Sequence, residues 1–159
     1  MTANWYETLA PFFQTPSRSD VASRDSLRPA DSPPWVLHVD DDAEYSWTIK
    51  CRLESLGVAV VRAFDGADGT RCAFDYPADA ILLDMQMPNG TGEDVLRYLK
   101  SNERTSRIPV IMLTSLKSTQ QQQQSLASGA SGYVTKDRPF EELVAEIGKH
   151  IDLLTPTGC

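Results

Sequence analysis

"ILLDMQMPNG", residues 81–90, runs three branched aliphatics straight into an acid and then into residues that end a strand. A strand apolar at every position is covered on both faces, as in a parallel sheet packed between helices. The acid at its tip, Asp84, is then rigidly placed while the Pro-Asn-Gly loop leaves its oxygens open. The chain on either side shows the same alternation. "WVLHV" (35–39), "VAVVRA" (58–63), "DAILLD" (79–84), "IPVIMLTS" (108–115) and "GYVT" (132–135) read as strands. "AEYSWTIKCRLESLG" (43–57), "DGADGTRCAFDY" (65–76), "GEDVLRYLKSN" (92–102), "KSTQQQQQSLASG" (117–129) and "FEELVAEIGKHIDLL" (140–154) read as helices. In the first of these, Tyr45, Ile49, Leu53 and Leu56 share a face and Gly57 is the stop, with Asp42 as N-cap. In the third, Val95, Leu96 and Leu99 are the buried positions; in the last, the apolar stripe runs from Phe140 through Leu143, Val144, Ile147 and Ile151 to Leu154. Five βα units predict an α/β fold, a doubly wound five-stranded parallel sheet with helices on both faces.

Ligands of such a sheet bind at the C-terminal ends of its strands. The first strand ends in Asp40, Asp41 and Asp42, the third in Asp84, the fourth in Thr114 and Ser115, and the fifth in Lys136. Clustered carboxylates repel one another unless a cation intervenes, and an all-oxygen donor set suits Mg²⁺. An ionised Asp84 is a nucleophile for phosphorus, Lys136 a point charge for a phosphoryl oxygen, and Thr114 a hydroxyl for another. Taken singly, an Asp triplet is an ordinary helix cap, a strand-end Thr is common and a Lys before a loop is an ordinary surface residue. Their convergence on one edge is what points to phosphoryl chemistry.

Composition narrows the field. The chain has 159 residues, 41% hydrophobic and 23% charged, which suits one globular domain with a substantial core. Its net charge is −7, most of it in residues 35–159, and an acidic surface is a poor match to a nucleic-acid backbone. Direct DNA contact is not expected. Cys51, Cys72 and Cys159 are too few and too far apart for a disulfide framework or a metal site, which fits a reducing cytosol. No apolar run reaches membrane-spanning length, and the start of the chain lacks the features of a secretory signal. Residues 14–34, rich in Ser, Pro, Arg and Asp, read as a flexible arm. The aromatic stretch "NWYETLAPFF" before it reads either as a floppy tail or as a docking segment.

The segments "VLHVDDDAEYSWTIKCRLESLG", "AILLDMQMPNGTGEDVLRYLK", "IPVIMLTS" and "GASGYVTKD" resemble the receiver domain of two-component response regulators. The spacing from Asp40 to Asp84, to Thr114 and to Lys136 is 44, 30 and 22 residues, as in that family, and the similarity covers residues 35–154. The resemblance implies a flavodoxin-like strand order 2-1-3-4-5 and a stand-alone receiver flanked by an extension (1–34) and a short tail (155–159). It implies that Asp84 accepts a phosphoryl group from a histidine kinase or histidine phosphotransfer protein. Asp41 directly, Asp40 in part through water, Asp84 and the backbone carbonyl of Gln86 would hold Mg²⁺. Thr114 and Tyr133 would be the switch pair and Lys136 the phosphate-contacting amine. It further implies a cytoplasmic protein signalling by protein contacts, and it leaves homodimerisation open. Two other functions compete with this reading. One is a pseudo-receiver that has stopped cycling and serves as an adaptor. The other is an aspartate-nucleophile hydrolase, which wants a second acid where Gln86 stands. One departure from the family lies after Lys136, where Asp137 and Arg138 come before Pro139.

Overall fold

The computed structural model describes residues 32–88 and 90–153. The aromatic stretch of residues 4–13, nearly all of the arm, Cys159 and the tail lie outside the described residues. The element order is β1 (Trp35–Val39), α1 (Ala43–Glu54), β2 (Ala59–Ala63), α2 (Gly66–Asp75), β3 (Ala80–Asp84), a short β4 (Gln86–Met87) and β5 (Gly90–Thr91), α3 (Gly92–Ser101), β6 (Val110–Thr114), α4 (Thr119–Ala127), β7 (Gly132–Thr135) and α5 (Phe140–Gly148). The main sheet is ordered β2-β1-β3-β6-β7 and every pairing in it is parallel. This is the doubly wound arrangement the pattern predicts, with β3 at the centre and β1 and β6 beside it.

Burial follows the two-residue period of the strands. Leu37, Val39, Ile81, Leu83, Val110 and Met112 face one side, where Cys72 and Ala73 of α2 and Leu96 and Leu99 of α3 cover them. Val36, Val60, Leu82, Ile111 and Leu113 face the other, against Ile49 and Leu53 of α1 and Leu143 and Ile147 of α5. Val39 pairs with Leu83 and Asp84 with Leu113, so the strand tips are brought level.

Asp42 caps α1, its side chain accepting the N–H groups of Glu44 at 3.1 Å and Tyr45 at 3.0 Å. We expect Asp42→Ala to lower stability by about 1 kcal/mol, the usual loss for an N-cap acid, measurable by urea unfolding with an unchanged slope. Gly57 follows at φ 79, a left-handed value that suits glycine, so the helix stops as expected. Other details differ from the sequence reading. Leu56 lies beyond the end of α1, and Ser46 takes the place on the buried face beside Ile49 and Leu53. Val95 is half-buried, not core. Helix α5 ends at Gly148 and does not run to 154, where Leu154 lies outside the described residues. Past Glu146 the chain tightens, with Lys149 and His150 donating to carbonyls three residues back, and Leu153 folds against Gly148. Ile151 still donates to the carbonyl of Ile147 four residues back at 3.1 Å and stays buried below it, as the stripe predicts. The two-residue strands β4 and β5 were not foreseen. They pair Gln86 with Thr91 and Met87 with Gly90 in antiparallel fashion.

Among the described residues, Cys51 is exposed and Cys72 buried, both as free thiols. Burial pushes the Cys72 thiol up to about 12, which leaves it unreactive. No helix among the described residues is long and apolar enough to cross a membrane.

Candidate functional site at the carboxyl edge of the sheet

One oxygen each from Asp40, Asp41 and Asp84 lie within 4.8 Å of one another. Asp40 stands just past β1, wholly buried; its backbone N–H donates to Ala63 at 3.0 Å, which extends the sheet by one rung. Asp84 closes β3 and is 4% exposed, while Asp41 projects into solvent. The cluster therefore has two rigid, desolvated carboxylates and one open one.

Lys136 reaches in from beyond β7. Its Nζ is 2.7 Å from Oδ2 of Asp40 and 3.4 Å from Oδ1 of Asp84, so one ammonium is shared by two acids. The ring of Tyr45 lies beneath it, 4.8 Å from Nζ to centroid. A hydrogen bond from the Lys136 backbone to Thr114 at 2.8 Å ties the two strand ends together. The loop Lys136-Asp137-Arg138-Pro139 is held by Arg138 donating to Thr135 at 3.0 Å and by an ion pair between Lys117 and Asp137 at 2.6 Å. The described residues contain no cis peptide bond.

The two buried acids are pushed apart in acidity. Burial, then the charge of Asp40, raise Asp84 to about 6, and Lys136 and the Gln86 N–H only partly offset this. Burial also works to raise Asp40, but its contacts with His38, Lys136 and the Asp42 N–H outweigh it and hold it below the usual carboxylate range. Like charges this close do not ionise independently, and an added cation would relieve both. Burial, with the charges of Asp40, Asp84 and Asp42 behind it, raises Tyr45 to about 12, so it remains a neutral phenol.

The structure thus gathers Asp40, Asp41, Asp84 and Lys136 at one point. Thr114 ends β6 one register step beyond Asp84, fully buried, its Oγ1 accepting the Leu116 N–H at 3.0 Å. Gln86 is exposed, with its backbone N–H aimed at Oδ1 of Asp84 at 3.3 Å. Tyr133 sits half-buried on β7, its hydroxyl 3.5 Å from the carbonyl of Leu116. Ser115 is exposed.

Two neighbours went unnoticed in the sequence. Tyr45 reads as a core-facing helix residue, yet its ring floors the lysine. His38 reads as part of an apolar run, yet lies two residues before Asp40 on the same face of β1 and is fully buried. The one available signal was a lone imidazole in an otherwise apolar strand.

The profile of the response regulator receiver domain family matches residues 36–148. The chain belongs to this family. The receiver domain is 39% identical over 114 residues to the DNA-binding dual master transcriptional regulator RpaA of a Synechocystis strain, covering 72% of this chain and 47% of the relative. The chain spans about half or less of the curated relatives it matches first. Among solved structures, the receiver domain of Francisella response regulator 1452 superposes with a TM-score of 0.68 at 32% identity, over 73% of this chain and 94% of that one. The receiver domain of the Pseudomonas aeruginosa sensor histidine kinase PA1611, solved with a magnesium ion in its active-site cleft, gives 0.68 at 28% identity over 74% and 97%. The flavodoxin-like strand order foreseen for this receiver domain is the observed one.

Proposed function

We propose that this receiver domain is a phosphorylation switch with Asp84 as acceptor, supplied by a histidine kinase or histidine phosphotransfer protein. The observation that carries the reading is the convergence of three carboxylates and one shared ammonium at the sheet edge. An Oδ atom of Asp84 attacks phosphorus while the P–N bond of the phosphohistidine breaks, its electron pair going to the imidazole, which takes a proton from solvent.

The carboxylate trio fits a hard divalent cation: all donors are oxygen, two are rigid, and Asp84 is hard to ionise without one. Asp40, Asp41, Asp84 and the Gln86 backbone carbonyl would hold Mg²⁺, which when bound neutralises charge on the phosphoryl oxygens and on Asp84. Lys136 takes one phosphoryl oxygen as its partner in place of the carboxylates. Thr114 offers its hydroxyl to another, and its departure from the Leu116 N–H frees the β6–α4 loop and the hydroxyl of Tyr133 that leans on it. The readout face is α4, β7 and α5, where a cleft of about 690 Å³ lies between Lys117, Tyr133, Asp137 and Glu142. Signalling through this face is by protein contact.

Incubation with magnesium and acetyl phosphate, followed by intact-mass and peptide analysis, tests this. The expected product carries one base-labile phosphoryl group, on Asp84 and dependent on magnesium. A chain that takes no label is an adaptor that has stopped cycling. Rapid multiple turnover of the donor would make it a hydrolase.

A further inference from the structure

His38 is buried on every side, and neither ring nitrogen has a hydrogen-bond partner among the described residues. A buried N–H without an acceptor is rare in a native fold and asks for an explanation. The acceptor it faces is Oδ2 of Asp40, 3.4 Å from Nε2, a little beyond the length of a formed bond. That oxygen already holds Lys136 at 2.7 Å, while the other oxygen of Asp40 holds the Asp42 N–H at 2.9 Å. Tyr45 packs edge-on against the imidazole at 6.0 Å between centroids.

Lys136 is shared between Asp40 and Asp84, and phosphorylation gives it a third, more charged partner. Oδ2 of Asp40, like the ring nitrogens of His38, has no hydrogen bond of its own among the described residues, so the departure of Lys136 would leave it without its counter-charge inside a fully buried pocket. We propose that His38 is a positioning residue that takes over Asp40 from Lys136, its Nε2–H closing on Oδ2 when the ammonium moves to a phosphoryl oxygen. A shift of about 0.5 Å completes the bond. Asp40 then keeps its orientation toward the cation in the active state, as a carboxylate ligand held by an outer donor does. This deepens the phosphorylation reading and rests on it.

The test uses the full chain and beryllofluoride with magnesium as the phosphoryl mimic. Long-range ¹⁵N NMR of His38 is expected to show the Nε2–H tautomer, with Hε2 exchanging more slowly and shifting downfield once the mimic is bound. By calorimetry, His38→Val is expected to bind the mimic about tenfold more weakly, in line with the loss of an outer-shell partner. His38→Gln, which keeps a donor, is expected to recover most of this. A Nδ1–H tautomer, or a His38 signal indifferent to the mimic, overturns the proposal without any variant having to fold. So does a His38→Val chain that melts earlier but binds the mimic as the parent does, since that marks a space-filling role alone. If the parent itself fails to bind the mimic, the phosphorylation reading is what falls.

Discussion

Asp84→Asn is expected to take no phosphoryl group and yet to be more stable than the parent at neutral pH without magnesium. The loss is complete because the amide is no nucleophile for phosphorus and no other acid in the cluster stands at the same strand tip. The gain follows from the raised acidity constant. Asp84 titrates near 6 in the fold against 3.8 for the free side chain, chiefly because it is buried and next to Asp40. Between these values the folded chain binds more protons than the unfolded one, so this group's contribution to stability falls as pH rises. The parent and Asp84→Asn should therefore match near pH 4, diverge through pH 6 and differ by a constant amount above about pH 7. A shift of about two units, in which the pairing with Lys136 is already included, corresponds to about 3 kcal/mol at most. Magnesium should narrow the gap, because it binds only the folded parent with its acids intact. Urea unfolding of both proteins at several pH values, with and without magnesium, reads all of this. Equal stability at pH 7 would mean that Asp84 is not strained in the metal-free fold.

Gly92→Ala is expected to be the most damaging single-methyl change near the site. A Cβ there would lie 2.1 Å from the carbonyl oxygen of Asp84 and 2.8 Å from the Cα of Met85, both backbone atoms that no rotamer can move. The glycine is the first residue of α3, and its N–H donates to Met85 at 3.0 Å, so the helix begins flat against the segment that carries the acceptor. Overpacking against side chains costs about 1 to 3 kcal/mol. Against backbone we expect about 3 kcal/mol or more, a fall in Tm on the order of 10 °C. The displacement should also reach Asp84 and slow acyl phosphate formation, at least tenfold where alignment is lost by a fraction of an ångström. A Gly92→Ala chain with the parent's Tm and labelling rate would show that the β4–β5 hairpin simply moves aside.

That glycine illustrates what was and was not legible beforehand. Hydrophobic period and β-branched runs located all five main strands and five helices, and Asp42 could be read as a cap from its place before α1. These signals are local, repeated over several residues and therefore redundant. The hairpin β4–β5 rests on two residues a side and leaves no such pattern. Past the early end of α5 Leu153 packs back against Gly148, a contact that periodicity extrapolates straight past.

The candidate site divides in the same way. Asp40, Asp84, Thr114 and Lys136 could be placed at one edge because parallel strands of known order must end together, and the structure sets Asp40, Asp84 and Lys136 within ion-pair distance. His38 could not be singled out. Its sequence neighbours are aliphatic, and its relation to Asp40 depends on both side chains leaving β1 on the same face beneath Tyr45.

What the sequence alone determined is the alternation of buried strands and amphipathic helices, and hence which residues stand at strand tips, because side-chain period and turn chemistry act over a few bonds. What only the tertiary structure decided is how those tips share their charges. Lys136 divides itself between two acids, Asp40 is kept acidic while Asp84 is pushed up to about 6, and His38 waits beside them. Such energies depend on desolvation and on separations of a few ångströms between segments far apart in the chain, and neither quantity exists before the sheet closes.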